Sequence, residues 1–259
     1  MEPKLLVTLS PAKKMHEPGL EVFNRQQLTQ PAFAKESQEL ASLMQTLTLD
    51  GFMATMGVSQ KIATMNMARY QNFGQQAPKH AAIELFAGDV YRSLSAGTLK
   101  HPSLNRLADQ VFIISGLYGL LRTTDMIHPY RLEMGSKLKQ HWSFDLYQFW
   151  SDRLTHYLNR QIEQHHFTEH INLASSEYAK AYKTDALSIP SINVDFKKPD
   201  SSGQFKTIGI VAKRARGDMA RFIVEEAITN SNALKSYRGL GFSFNYNLSN
   251  KNLLVFTCP

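Results

Sequence analysis

Three short apolar runs, each followed at once by small and polar residues, constrain the fold of this chain most strongly. The runs span residues 4–9, 110–114 and 170–174, and the segments after them have the sequences SPAK, SGLYG and SSEY. Nearly continuous apolar runs of this length are typical of strands buried on both faces of a parallel sheet. Segments with the 3.6-residue apolar spacing of helices alternate with such runs. The pattern therefore predicts an α/β fold.

The same criteria predict the remaining elements and a single domain. The 259-residue chain shows no internal repeats, and its one Gly/Ser/Pro-rich stretch is KKPDSSGQ at 197–204. We therefore expect one compact domain over residues 1–259, with a mixed β-sheet flanked by helices. The predicted strands are 4–10, 81–86, 110–115, 170–175, 191–196, 205–212, 242–246 and 253–256. The predicted helices are 32–47, 59–73, 143–163, 175–182 and 216–229.

Composition excludes several classes of site. Cys258 is the single cysteine, so one chain can build neither a disulfide framework nor a cysteine-based metal site. The longest mainly apolar run, VFIISGLYGLL, has 11 residues, which is too few to cross a bilayer. His166 and His170 have helical ligand spacing in HHFTEH, but no third ligand is identifiable and the helix should end there. We expect a cytoplasmic protein with no metal, no cofactor and no membrane partner.

Positive charge is concentrated in one part of the chain. The formal net charge is +7, and the segment 197–221 alone carries seven basic and two acidic residues, a net +5. Clustering of this kind is typical of proteins that bind nucleic acid or polyphosphate. A solvated lysine-rich face is the alternative. The basic residues are Lys197, Lys198, Lys206, Lys213, Arg214, Arg216 and Arg221.

The polar segments after the three apolar runs predict a shared crevice. In open α/β sheets, ligands bind outside the carboxyl ends of the strands. If the strands are parallel neighbours, the loops starting at Ser10, Ser115 and Ser175 converge, and the segment SGLYGLLRTTDMIHPYRLEMG at 115–135 forms a wall. The predicted pocket or anion-binding residues are Ser10, Lys13, Ser115, Tyr118, Arg122, Tyr130, Arg131, Ser175 and Tyr178.

Three residues of this predicted crevice are candidates for acid-base chemistry: Lys13, Glu133 and Glu177. In an extended segment, residues 131 and 133 point to one side while Tyr130 and Leu132 point to the other. Arg131 and Glu133 would then face the crevice. The alternative is that this charged pair only fixes the loop to the body of the protein.

The segment FMATMGVSQKIA at 52–63 predicts a helix-hairpin-helix within a submodule at about 37–73. Gly57 permits a tight turn, and the backbone N–H groups of the turn and of the next helix can bind a DNA phosphate. Ser59 stands at the position of the second small residue, and Lys61 adds a cation. An ordinary pair of antiparallel helices is the alternative.

A second phosphate-binding element is predicted at 211–228, where VAKRARGDMARFIVEEAI passes from a strand into a helix. The candidates for DNA contact are Lys213, Arg214, Arg216 and Arg221, with Gly217 allowing close approach of the backbone. In the alternative interpretation these arginines pair with acidic residues of the 115–135 segment.

Seven ordered motifs resemble those of the YaaA family of bacterial peroxide-stress proteins. They are SPAK at 10–13, FxGDVY at 86–91, SGLYGLLR at 115–122, PYRLEMG at 129–135, LYQFW at 146–150, NLASSEY at 172–178 and AKRARGDMARFI at 212–223. The sequence departs from the family pattern at Thr123 and Thr124, where LLRPLD is usual in the family. It also departs at Asn245, where an acid is common. That last change weakens any acid-base role near the C-terminus.

The resemblance implies a cytoplasmic protein that protects against hydrogen peroxide by restraining unincorporated intracellular iron. It also implies an unusual single-domain α/β fold with a helix-hairpin-helix beside a positively charged cleft, and binding of double-stranded DNA. Two classes of function stay open on the residues themselves. One is a protein that binds double-stranded or distorted DNA. The other is an enzyme acting on a nucleobase, nucleotide or nucleic acid, with a small anionic ligand in the polar pocket.

Overall fold

A parallel five-stranded sheet lies at the centre of the computed structural model, which describes residues 3–15 and 21–259. The strands are β1 Lys4–Leu9, β2 His80–Ala81, β3 Val111–Ser115, β4 Gly119–Arg122, β5 Met126–Ile127, β6 Phe167–Asn172, β7 Ser191–Pro199, β8 Phe205–Lys206, β9 Ser243–Phe244 and β10 Leu253–Thr257. The helices are α1 Ala34–Gln45, α2 Leu49–Met56, α3 Gln60–Gln71, α4 Ala82–Leu85, α5 Asp89–Leu94, α6 His101–Gln110, α7 Leu146–His165, α8 Ser176–Ala179 and α9 Gly209–Glu225.

The order of the strands creates a switch point in the sheet. The order is β4-β3-β1-β6-β7-β10-β9, with β8 paired to β7 outside this path. Strands β3, β1, β6, β7 and β10 are parallel, whereas β4, β8 and β9 pair antiparallel with their neighbours. From β1 the chain passes first to β3 on one side and later to β6 on the other. Ligands of open α/β sheets bind at such a switch point.

The α/β class and the mixed sheet are confirmed, but two predicted strands are wrong. The apolar run 81–86 is mainly the short helix α4, because a run of this length fits a buried helix as well as a strand. The Glu84 carboxylate accepts the backbone N–H of Ala81 and so stabilises the start of this helix. In the predicted strand 205–212, only Phe205–Lys206 is extended.

Helix α9 begins at Gly209 and is longer than the predicted helix at 216–229. Its buried residues include Ala212, Ala215, Met219 and Ile223, whose spacing of three or four residues continues through the segment. The apolar residues 208–212 therefore lie at the start of a helix that packs on β7 and α5. The basic residues of 213–221 consequently lie on one helix.

Strand β4, which the sequence did not predict, folds back along β3. Strand β4 begins at Gly119, whose φ is +69° and whose position leaves no room for a side chain, because a Cβ there would lie 2.6 Å from the Trp150 ring. Ser115 pairs with Gly119 and Phe112 pairs with Arg122. Arg122 therefore lies beside the amino-terminal half of β3, away from the end where the crevice was predicted.

One hydrophobic cluster runs through the described chain, which forms a single compact domain. Its largest fully buried side chains include Trp150, Tyr70 and Tyr237. Helices α5 and α9 approach so closely that a Cβ on Gly217 would lie 1.9 Å from the carbonyl oxygen of Val90. This contact needs glycine in α9.

A buried polar network lies below the carboxyl ends of β1 and β6. The imidazole of His170 lies 3.0 Å from Thr8 Oγ1 and 2.7 Å from Ser191 Oγ. Burial lowers the pKa of His170 to about 3, so this imidazole is neutral at physiological pH. In residues 3–15 and 21–259 no group of three or more His, Cys, Asp or Glu side chains could hold a metal ion. Across the same residues, no helix is both long enough and apolar enough to span a membrane.

Candidate functional site

A cavity of about 350 Å³ lies at the switch point, beyond the carboxyl ends of β1 and β6. The loop after β1 supplies residues 10–14, and the segment after β6 supplies Ser175, Glu177 and Tyr178. The opposite wall comes from residues 87–92 around the start of α5 and from Lys213 and Arg216 of α9. The segments SPAK and SSEY, predicted to border one crevice, thus both line this cavity.

Hydrogen bonds join the two loops at the base of the cavity. The backbone N–H of Ser175 donates to Ser10 Oγ at 2.8 Å, and the two hydroxyl oxygens lie 3.3 Å apart. The Tyr91 hydroxyl donates to the carbonyl oxygen of Ser10 at 2.8 Å. Burial raises the pKa of Tyr91, so the phenol remains a neutral donor. Side chains on the two loops are thus held in a fixed relation.

The charged groups that line the cavity are mainly positive. Among the described residues, five lining side chains are cationic and two are acidic, a net charge of 5 − 2 = +3. Asp89 is one of the acids, and its carboxylate accepts a hydrogen bond from Arg92 at 2.7 Å and another from Arg214 at 3.4 Å. These interactions lower the pKa of Asp89, with the bond from Arg92 having the largest effect. The five cations are Lys13, Lys14, Arg92, Lys213 and Arg216.

Arg216 differs from the other four cations because it is partly buried. Among the residues that the structure describes, its Nε atom is buried and has no hydrogen-bond partner. Burial lowers the pKa of the guanidinium, and the negative charge of Asp195 opposes that effect. A buried donor without a partner is costly.

The 130–135 segment lies along the edge of the cavity. Tyr130, Leu132 and Met134 are buried, whereas Arg131 and Glu133 are 18% and 17% exposed. Arg131 donates to Glu133 Oε1 from Nη2 at 2.8 Å and from Nε at 3.2 Å. The ammonium group of Lys13, which lines the cavity, contacts the other oxygen of Glu133. Glu133 therefore joins the loop to the segment after β1.

Glu177, the other predicted acid-base candidate, also connects the cavity to this loop. Its carboxylate lines the cavity and accepts the backbone N–H of Gly135 at 3.0 Å. The structure thus brings together Ser10, Lys13, Arg131, Ser175, Tyr178, Glu133 and Glu177. Whether any of them acts in catalysis stays a prediction.

Three other predicted pocket residues are buried behind the loop. Tyr130 Oη and Ser115 Oγ lie 2.6 Å apart, and the Tyr118 hydroxyl accepts the backbone N–H of His128 at 3.0 Å. Burial raises the pKa of both phenols. Ser115, Tyr118 and Tyr130 anchor the loop from inside and do not line the cavity.

Arg122 also lies apart from the cavity. Its Nη2 atom donates to Gln161 Oε1 of α7 at 3.0 Å, and its backbone N–H donates to the buried carboxylate of Asp125 at 2.8 Å. The prediction that Arg122 lies in the crevice requires the chain after Ser115 to continue along the wall of the crevice. The β3-β4 hairpin instead carries it to the other end of the strand.

The predicted hairpin region consists of α2 and α3 joined through Gly57 and Ser59. Gly57 has a φ of +59°, the left-handed conformation that favours glycine, and Lys61 in the first turn of α3 is exposed. The Tyr70 hydroxyl of α3 donates to the carbonyl oxygen of Arg131 at 3.2 Å. The α2-α3 pair thus packs against the loop that borders the cavity. DNA binding by Gly57, Ser59 and Lys61 stays a prediction.

The basic residues of α9 have different surroundings. Arg221 binds Glu225 through two nitrogens and donates to the carbonyl oxygens of Leu94 and Ser95 at the end of α5. Arg214 contacts Asp89. The acidic partners belong to α5 and α9 and not to the 115–135 segment, so the alternative pairing considered from sequence is wrong. Lys213 and Arg216 remain at the cavity.

Sequence reasoning missed the wall formed by Lys14, Gly88, Asp89 and Arg92. Gly88 packs closely against the loop after β1, since a Cβ there would lie 3.1 Å from that of Ala12. The available signal was the motif FxGDVY, in which a glycine and an acid follow an apolar run. This motif supported only the family resemblance. With a strand predicted at 81–86, the glycine and the acid after it gave no indication of a helix start at the cavity.

The fold and the cavity first define a class: a single-domain α/β protein with a cation-lined cavity at the switch point of a mainly parallel sheet. Residues 5–248 match the family described as "Peroxide stress protein YaaA". The chain therefore belongs to the YaaA family of peroxide stress proteins, and the resemblance seen in its motifs is confirmed.

Relatives of similar length support this assignment. A UPF0246 protein of Crocosphaera subtropica is 38% identical over 252 residues, covering 97% of this chain and 99% of the relative. A UPF0246 protein of Rickettsia bellii is 40% identical over 230 residues, with coverages of 89% and 91%. One from Francisella philomiragia is 36% identical over 257 residues, with coverages of 98% and 100%. The similarity thus extends over nearly the whole chain.

Proposed function

We propose that this protein acts in peroxide stress by binding double-stranded or distorted DNA, with DNA phosphates at the mouth of the cation-lined cavity. The net charge of +3 among its lining side chains is the observation that carries the proposal. Phosphate contacts by lysine and arginine provide most of the affinity of sequence-independent DNA binding. The family resemblance further implies that protection includes restraint of unincorporated intracellular iron and that the protein works in the cytoplasm.

The α2-α3 pair supplies a second contact surface in this proposal. It packs against the same loop as the cavity, through the hydrogen bond from Tyr70 to Arg131 and another from the Lys137 N–H to the Thr55 carbonyl oxygen. Lys61 and the backbone N–H groups at the start of α3 would bind one phosphate. The cavity cations would bind others along the same strand or on the opposite strand.

Paired lysine variants test whether the cavity is the site. We expect Lys14→Ala with Lys213→Ala to weaken binding of a fluorescently labelled duplex at least tenfold in anisotropy titrations. Lys100→Ala with Lys251→Ala removes the same charge from exposed positions outside the cavity and is the matched control. Equal losses in both double variants would show that net charge and not the cavity determines binding.

The same variants connect DNA binding to protection. In a strain lacking the native gene, we expect the control double variant to restore survival in hydrogen peroxide and to lower unincorporated iron. The cavity double variant should do neither. Full protection by a variant that no longer binds DNA would separate the two properties and contradict the proposal.

The position of Glu133 favours a second candidate function, an enzyme acting on a nucleobase, nucleotide or nucleic acid. Its carboxylate lies between the cations of Lys13 and Arg131 at the edge of a cavity large enough for a nucleotide. A carboxylate held in this way can accept or orient a proton of a bound ligand. Incubation with nucleotides and oligonucleotides, followed by chromatography, tests this candidate. A product formed by the wild type and not by Glu133→Gln would support it.

A further inference from the structure

Arg216 lies in the wall between two cavities. The first is the cation-lined cavity at the switch point, and the second, of about 580 Å³, lies beyond the end of β6 and beside β7. The proposed DNA contact uses only the first. The side chains of Arg216 and of the Ser175–Ser176 turn form the boundary between the two spaces.

The second cavity has the lining of a polar ligand site. Asn172 Nδ2 donates to Asn193 Oδ1 at 2.8 Å, which orients the exposed Asn193 amide. The Thr207 hydroxyl lies 3.0 Å from both carboxylate oxygens of Asp195. Amide and carboxylate groups are the side chains that hydrogen-bond the edges of nucleobases. Lys180 adds a cation to the same lining.

The first cavity complements this lining with hydroxyl groups and cations. Its lining includes Ser10, Ser175, Lys13 and Lys213, whereas its two tyrosines, Tyr91 and Tyr178, are buried and serve as wall packing. Both volumes fall within the range of about 300–1,000 Å³ that is usual for small-molecule sites. A DNA duplex is too wide to enter either space, whereas a single nucleoside has a suitable size.

Arg216 is placed to bind the group that would connect two such nucleosides. Its guanidinium borders both spaces, and within the described chain its Nε is a buried donor without a partner. A phosphate has several acceptor oxygens, and arginine is well suited to bind it through two parallel hydrogen bonds.

We propose that the two cavities bind two consecutive unpaired nucleosides, one in each, with the phosphodiester between them on Arg216. The inference rests on the proposed DNA-binding function and names the part of the nucleic acid that enters the protein. The ligand can be a free dinucleotide or an unpaired step within a duplex. Extruding nucleotides from a duplex requires breaking their stacking and pairing, which is easier where they are already unpaired.

Calorimetric titration with the dinucleotide d(ApA) and with dAMP tests the proposal. We expect the wild type to bind d(ApA) at least tenfold more tightly than dAMP, because only the dinucleotide fills both cavities. Asn193→Ala should remove most of this preference and leave dAMP binding to the first cavity unchanged, since Asn193 lies only in the second cavity. Arg216→Gln should weaken both ligands. Equal affinities of the wild type for d(ApA) and dAMP would overturn the proposal.

The ligand could be an unpaired step within a duplex or a free dinucleotide. Fluorescence of 2-aminopurine, placed at a two-nucleotide unpaired step in a duplex, distinguishes these two sources. A fluorescence change on binding to the wild type that is absent in Asn193→Ala would identify the unpaired step as the ligand. If d(ApA) binds as expected but the fluorescence does not change, the ligand is a free dinucleotide.

Two further measurements separate this inference from the proposed function. Fully paired duplex should bind the wild type and Asn193→Ala equally, because Asn193 lies outside the first cavity. Duplex binding without d(ApA) binding would overturn the inference alone, whereas d(ApA) binding without duplex binding would overturn the proposed function alone. Lys251→Ala is the control for d(ApA) binding, and unchanged melting temperatures of the variants exclude misfolding.

Discussion

At the scale of single residues, Arg131 and Glu133 are a charged pair on a loop whose neighbouring residues are buried. Their neighbours Tyr130, Leu132 and Met134 are buried and hold the loop. Glu133, which is paired with Arg131, contacts Lys13 at the edge of the cavity. The burial of Tyr130 and Leu132 follows the alternation predicted from the sequence. We therefore expect the loop to stay anchored without the ion pair.

The double variant Arg131→Ala with Glu133→Ala tests this division of roles. We expect a loss of about 1 kcal/mol or less in the free energy of unfolding, because partly exposed ion pairs contribute little. Peroxide resistance in a strain lacking the native gene should nevertheless decrease. Asp152→Ala with Lys183→Ala removes an ion pair outside the cavity and is the control. A double variant that fails to fold would instead make the pair a structural support.

Asp125 gives the unfolding free energy a specific pH dependence. It is 2% exposed, and its carboxylate accepts the Thr29 hydroxyl at 2.6 Å and the Arg122 N–H. Burial raises its pKa to about 6, above the value of about 3.9 in unfolded chains. As the pH rises from about 4 to 6, the unfolded state ionises first, so this group's contribution to stability falls and then stays constant.

Asp125→Asn should remove this pH dependence, because the carboxamide does not ionise: its oxygen can accept the Arg122 N–H while its NH2 group donates to the Thr29 hydroxyl oxygen. Relative to the wild type, we expect the variant to gain up to about 3 kcal/mol between pH 4 and pH 7. Urea denaturation at several pH values measures the difference. Parallel stability curves for the two proteins would show that the carboxyl is not buried in this way.

At the scale of elements, the contact between α5 and α9 forms the wall of the cavity. Gly217→Ala would place a Cβ 1.9 Å from the Val90 carbonyl oxygen, so the helices must separate. We expect destabilisation of about 2 kcal/mol, as for other overpacked sites, together with weaker DNA binding. Gly209→Ala lies in the same helix with no atom within 4 Å of the added Cβ and is the control. Equal melting temperatures for both variants would contradict the close packing.

The elements also show what the sequence could predict. Strands β1, β3 and β6 were predicted because a buried parallel strand has a short apolar run, and the polar residues after β1 and β6 indicated the cavity. The position of Arg122 was not predictable from local pattern, since the β3-β4 hairpin depends on the fit of Gly119 against Trp150. The bonds from Arg221 to the carbonyl oxygens of Leu94 and Ser95 were also not predictable, because these residues lie 126 or more positions earlier in the chain.

At the scale of the whole molecule, the sheet topology concentrates the excess of positive charge. The chain carries a formal net charge of +7, and residues from four separate parts of the sequence bring five cations and two acids to the switch point. The α2-α3 pair contributes Lys61 on the other side of the same loop. These cations would release bound counterions from DNA when they meet its phosphates.

The salt dependence of duplex binding measures this central claim most directly. If about five phosphates are neutralised, the logarithm of the affinity should decrease with the logarithm of salt concentration at a slope of about −4 to −5. Lys61→Ala and Arg216→Ala should each weaken all duplex sequences alike and make the slope shallower by about one. An affinity that stays constant as salt is raised would contradict the claim that cations at the cavity and the α2-α3 pair bind DNA.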